Sequence, residues 1–169
     1  MNRDRKMMVC FCVIGLLLLC SGPGSAQDKH HSNRKSVCEV PHPESICGTN
    51  NTCGSGEAPC AVDIKRTADS AAAIATIADS KANAPFCVKA GTKVTWQSRS
   101  KNTGFVIDFG SSSPFDRPDA IIGGSDRSVT VVAKTPGCFK YSTGACVSGA
   151  VYGMCDSEEA DLIVVGGAD

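Results

Sequence analysis

The sequence predicts an all-β domain: a sandwich of about seven strands preceded by a cysteine-rich loop segment. Three observations lead there. Apolar residues alternate with polar ones from Val62 onward, glycine, proline, serine and asparagine separate the alternating runs, and cysteine is in excess, 11 in 169 residues. Period-two runs of four to eight residues bounded by such turn formers are half-buried strands. The chain carries 17 basic and 17 acidic side chains. A balanced charge supplies neither the positive field that displaces counterions from nucleic acid nor an acidic solvating tail.

Residues 1–26 read as a secretory leader. Arg3, Arg5 and Lys6 precede an apolar run from Val9 to Cys20, followed by the small residues Ser21, Gly22, Gly24, Ser25 and Ala26. The run is shorter than the roughly 20 apolar residues a bilayer span needs, so cleavage after Ala26 is expected, with a secreted or periplasmic destination. A lipoprotein reading competes, because Leu17-Leu18-Leu19-Cys20 looks like a lipobox that would acylate Cys20. Leu19 stands where that motif wants a small residue. Removing three basic and one acidic residue with the leader leaves 143 residues with 14 basic and 16 acidic groups, and no second apolar span.

Cys10, Cys12 and Cys20 leave with the leader. Eight cysteines remain: Cys38, Cys47, Cys53, Cys60, Cys87, Cys138, Cys146 and Cys155. An even count in an exported chain reads as four disulfides, whose connectivity is open among 105 pairings. Zinc would want close C-x-x-C pairs, and the nearest spacing is Cys53 to Cys60. Residues 27–61 divide into a polar, aperiodic tail to Val37, expected to be mobile, and a Pro- and Gly-rich loop from Cys38 to Cys60, expected to be held by two local disulfides.

Residues 62–169 form the sandwich. Phe86, Val88 and Ala90 alternate, Gly91-Thr92 turn the chain, and Val94 and Trp96 continue the face. Phe105, Ile107 and Phe109 share a face, as do Val129 and Val131; Phe139 and Tyr141 follow, and Leu162 to Val165 is a continuous apolar strand. An antiparallel arrangement is expected. Asp69 to Ala78 fits helical spacing at Ala71, Ile74 and Ile77, or an edge strand, and its β surroundings favour the strand. A turn is expected over 101–104 and a long loop over 110–126. A lone strand tryptophan in such a sandwich belongs to the core.

The stretch from Phe86 to Trp96 resembles the second-strand pattern of cupredoxins, the blue-copper sandwich proteins. Gly137 to Tyr141, Cys146, Gly153-Met154 and Leu162 to Val164 are similar to that family's final ligand loop and last strand. The resemblance covers residues 62–167 and implies a Greek-key sandwich. In the family two histidines, a cysteine and a weak axial methionine hold copper. Here the first histidine region reads Asn102-Thr103-Gly104-Phe105. Cys146 and Met154 keep the cysteine-to-methionine spacing, but Gly149 stands at the second histidine position.

No type 1 copper site is therefore expected. Cys155, nine residues from Cys146 across a hairpin-like loop, offers a disulfide that would take the thiolate away. Residual copper candidates are Cys146, Met154, His42 and His30. His30-His31 lie in the polar tail, and Asp28-Lys29-His30 would make a square-planar copper(II) site only if cleavage fell after Gln27.

Other chemistries lack a constellation. Ser111-Ser112-Ser113 has no nucleophile elbow and no histidine near it in the sandwich, so no enzyme is expected. Asp156, Glu158, Glu159 and Asp161 lack EF-hand spacing and read as a solvated turn. Asp108 falls on the opposite face from Ile107 and Phe109. No basic stripe invites nucleic acid. The expected role is a binding or structural module for an extracytoplasmic protein or small ligand, presented by the loops Ser98–Gly104 and Ser111–Gly124, where a scaffold varies without losing its core. An unconventional copper-binding or electron-transfer role is the alternative.

Overall fold

The structure, a computed structural model, describes residues 35–54, 58–124, 126–154 and 159–167, all within one compact unit, Ser32–Asp169. The leader thus lies outside the described residues.

Among the described residues ten strands form: β1 (Cys60–Thr67), β2 (Ser70–Ala75), β3 (Phe86–Lys89), β4 (Lys93–Gln97), β5 (Thr103–Asp108), β6 (Ile121–Gly123), β7 (Val129–Val132), β8 (Gly137–Val147), β9 (Ala150–Tyr152) and β10 (Ala160–Val165). One sheet has the order β2-β1-β4-β7 and the other β3-β10-β8-β5-β6, with β9 paired to β8. The count exceeds about seven partly because two three-residue strands, β6 and β9, form inside segments that read as loop. The doubtful Asp69–Ala78 segment contains strand β2.

The sheets are mixed, which corrects the antiparallel expectation. β1 runs parallel to β4 and β10 parallel to β3; the other named pairings are antiparallel. The cause lies in the segment 86–97. Its alternation looks like a hairpin within one sheet, but the chain turns at Gly91 (φ +89°) and passes from one sheet to the other. Each half then lands beside a strand running its own way, with Cys60 opposite Val94 and Leu162 opposite Phe86.

Trp96 is fully buried and organises the core, making edge-to-face contacts with Phe86, Phe109, Phe115 and Tyr141 at centroid distances of 5.5 to 6.5 Å. Aromatic pairs in this geometry contribute about 0.5–1.5 kcal/mol each beyond the area they bury. Around them pack the inward residues of alternating strands, among them Val62, Ile64, Val88, Val94, Phe105, Ile107, Val131 and Leu162.

β2 is a sheet edge built largely from alanine. Asn83, itself buried with φ +53°, closes it: its side-chain oxygen accepts from Ala73 N at 2.9 Å and its backbone N donates to Ala73 O at 2.8 Å. An asparagine with positive φ thus stands in for a neighbouring strand at a residue otherwise open to pairing. At the opposite end of the hairpin, the Arg66 guanidinium lies 3.8 Å from the centroid of Tyr152 and joins β1 to β9.

Disulfides attach the N-terminal segment to the sandwich. Cys53–Cys60 is local, but Cys38 bonds Cys138 and Cys47 bonds Cys87, across 100 and 40 residues. The expectation of two local bridges in this segment is therefore corrected to one local and two long-range. Short helical turns, Val37–Glu39 and Pro43–Ile46, carry the two outer cysteines toward the sheet containing β8 and β3. The polar tail also ends earlier than expected. Asp161 in β10 accepts from Ser36 Oγ at 2.8 Å and Val37 N at 2.7 Å, and Lys140 Nζ meets Glu39 Oε1 at 2.7 Å.

Candidate functional site

The pleat of β8 sets the face on which Cys146 lies. Tyr141, Thr143 and Ala145 point into the sandwich and are buried, so Ser142, Gly144 and Cys146 face the other way. Cys146 is half-buried on that outer face, opposite Gly104 of β5 and Val151 of β9, and among the described residues it forms no disulfide. Its match to a copper ligand holds in spacing and fails in direction, because a one-residue step along a strand moves a side chain to the other face. Cys155, its expected disulfide partner, lies outside the described residues, as does His30.

Met154 covers Gly144 on the same outer face, where a Cβ on Gly144 would meet Met154 Cγ at 2.6 Å and Val106 Cγ1 at 2.8 Å. Its side chain fills a notch in the sheet. Gly149 occupies the tight turn between β8 and β9 with φ +83°. At the other histidine position, Asn102 has φ +60° and Thr103 begins β5. His42 is exposed far along the chain, Nδ1 3.1 Å from Glu44 Oε1. Among the described residues no three His, Cys, Asp or Glu side chains gather as a metal group.

The acidic segment before β10 is split. Asp161 is buried and serves as the acceptor for Ser36 and Val37, which corrects its reading as part of a solvated turn; Glu159 pairs with Lys140 at 3.5 Å. Asp156 and Glu158 lie outside the described residues.

Of the two expected binding loops, 98–104 is tied down. Asp63 accepts from Gln97 Nε2 at 2.8 Å and pairs with Arg99 Nε at 3.0 Å, while Ser98 is buried. The other loop borders an open cleft of about 630 Å³, walled by 111–118 on one side and by Lys134, Thr135 and Phe139 on the other. Main-chain bonds hold the walls together: Pro114 O accepts from Lys134 N at 2.8 Å and Thr135 N at 3.1 Å, and Asp116 N donates to Val132 O at 3.2 Å. Phe115 bridges to Ala133 between them. Arg117 and Lys134, which sequence reading passed over, bring two cations to one cleft. The one visible hint was Pro114-Phe115-Asp116-Arg117-Pro118, a charged and aromatic stretch stiffened at both ends.

A second recess of about 290 Å³ opens beyond Ser111, with Asp108, Lys140, Ser142 and Glu159 around Tyr141. The Tyr141 hydroxyl is buried without a hydrogen-bond partner, and its acidity is suppressed, first by burial and then by the charge of Asp161. Trp96 Nε1, Ser98 Oγ and Thr143 Oγ1 are likewise buried and unpartnered.

No family model matches the chain, and no curated protein matches its sequence. Among solved structures it is similar to a proline-to-glycine mutant of amicyanin in its reduced Cu(I) form, with 13% identity over 78% of this chain and 90% of that one and a TM-score of 0.39. A methionine-to-alanine mutant of amicyanin with Cu(I) gives 16% identity, the same coverages and a TM-score of 0.36. Scores at this level carry no argument of their own. The structure shows a sandwich of two mixed sheets, in which the cupredoxin-resembling residues 86–96 fall on β3 and β4 and the C-terminal part of that resemblance falls on β8 and β10.

Proposed function

We propose that the protein is an exported, disulfide-stapled cupredoxin-like binding module that lacks a type 1 copper site and catalyses no reaction. The single observation that carries this reading is Cys146, whose thiol faces away from the core at the one position where sequence spacing offered a copper thiolate. Support for export comes from the leader-like residues 1–26 and from three disulfides, bonds that form and persist in oxidising compartments. Among the described residues no helix is long and apolar enough to cross a membrane. Support for binding comes from the cleft beside 111–118, whose walls are fixed by backbone bonds while its hydroxyls and cations stay exposed.

Expression in an export-competent host followed by intact-mass analysis tests the reading. Recovery from the extracytoplasmic fraction with Gln27 as first residue, and no copper retained after dialysis against the metal, is the expected result. A cytoplasmic full-length chain or one copper per chain would overturn it. The rival copper-handling role has one observation in its favour: the Cys146 thiol and the Met154 thioether share the outer face beside Gly144. Copper(I) retained by the wild type and lost in Cys146→Ser would favour that role.

A further inference from the structure

We propose that the cleft beside 111–118 binds an acidic oligosaccharide, seating a sugar face on Phe139 and a uronate carboxylate between Arg117 and Lys134. The proposal rests on the binding-module reading and names the ligand class for it. At about 630 Å³ the cleft falls within the roughly 300–1,000 Å³ of small-molecule sites. Its aromatic surface is the half-buried Phe139, beside Phe115, whose ring is turned into the core against Trp96 and Phe109. Its rim is hydroxylated, with Ser111, Ser112 and Thr135 exposed.

The charge is asymmetric. Arg117 and Lys134 form no ion pair among the described residues, whereas Asp116, the one carboxylate on the lining, has Oδ1 turned to Val132 N at 3.4 Å. A bare anion would use the cations and leave the aromatic surface idle; an apolar ligand would strand the hydroxyls and cations. A polyol with a carboxylate uses all three, with an Arg fork suited to a planar carboxylate. Backbone bonds from Pro114 to Lys134 and Thr135 preform the site, so little ordering cost is incurred on binding.

The test is isothermal titration with tri-galacturonate, its methyl ester and sodium phosphate, paired with amide chemical-shift mapping and a copper assay on the same sample. The expected result is binding of the acidic trimer, with shifts confined to 110–118 and 132–142. At least tenfold weaker binding is expected for the methyl ester and for the Arg117→Ala/Lys134→Ala variant, whose exposed positions leave the fold intact. No binding, equal binding of the ester or by the variant, or full displacement by phosphate at equal concentration would overturn the proposal. Copper retained by the sample would instead overturn the reading on which it rests.

Discussion

Asp161 and Ser36, 125 residues apart, are joined by a 2.8 Å hydrogen bond from the Ser36 hydroxyl to Asp161 Oδ1, and Oδ2 takes the Val37 amide at 2.7 Å. A buried carboxylate in the last strand thus fixes where the N-terminal segment starts to be part of the domain. Hydrogen bonds to charged groups contribute about 1.5–3 kcal/mol each, and a buried amide left without its acceptor costs about 1–3 kcal/mol. Asp161→Ala is expected to lower the unfolding free energy by about 2–4 kcal/mol, read as the denaturant midpoint at unchanged slope. Ser36→Ala, which leaves Val37 N satisfied, is expected to cost less, about 0.5–1.5 kcal/mol.

Among the described residues the bridge between Cys38 and Cys138 closes the longest loop, 100 residues. On the chain-entropy account a loop of that size is worth about 4.7 kcal/mol. Both cysteines are only partly buried, so replacement leaves no sealed core cavity. The Cys38→Ser/Cys138→Ser pair should lose several kcal/mol in urea unfolding, and a loss below about 1 kcal/mol would contradict the entropic account.

Glycines 149 and 153 both have positive φ, +83° and +98°, yet differ in surroundings. A Cβ at Gly149 meets open space, whereas one at Gly153 would lie 2.7 Å from both Ala71 N and Thr143 O. Gly149→Ala is expected to cost about 1–2 kcal/mol of backbone strain, and Gly153→Ala about 1–3 kcal/mol more from overpacking against backbone. Thermal unfolding of the two variants side by side checks the order.

Asn83 closes the β2 edge through both polar groups of Ala73. Asn83→Ala leaves a buried amide unpaired, at about 1–3 kcal/mol, and opens an alanine-rich edge. A lowered melting temperature together with concentration-dependent light scattering is expected.

The Glu39–Lys140 pair sets a pH window. The Lys140 hydrogen bond, then its charge, holds the Glu39 carboxyl below its ordinary 4.5, and the same hydrogen bond raises Lys140 above its ordinary 10.5. Glu39 therefore contributes fully above its unfolded value and loses that contribution as pH falls through its lowered folded value. Lys140 contributes fully below its unfolded value and loses it as pH rises through its raised one. Carbon-13 titration of Glu39 should give a midpoint below 4.5 that returns toward 4.5 in Lys140→Ala.

Much of the sandwich was legible because its strands alternate and its turns announce themselves: Phe105 and Ile107 are buried, and Val106 between them is not. Strand direction was not legible. Whether Phe86–Trp96 is a hairpin or a crossing between sheets depends on what packs on each half, which local alternation does not encode. Disulfide partners were hidden for a similar reason, since Cys138 is brought to Cys38 by the pairing of β8 with β10 and not by spacing. At the copper position the sequence matched by count while the pleat of β8 chose the face, and one residue of register separates the two outcomes. The serines at 111–113 marked the cleft, but Arg117 and Lys134, 17 positions apart, come to line it together because 114–116 pair through the main chain with 132–135.

The central proposal is that this sandwich, despite its cupredoxin-like motifs, holds no type 1 copper site, and visible absorption spectroscopy during copper(II) titration of the mature protein tests it most directly. The expected spectrum shows no intense copper–thiolate band at one equivalent of metal and is unchanged in Cys146→Ser. An intense visible band that saturates at one copper per chain and vanishes in Cys146→Ser would contradict the account.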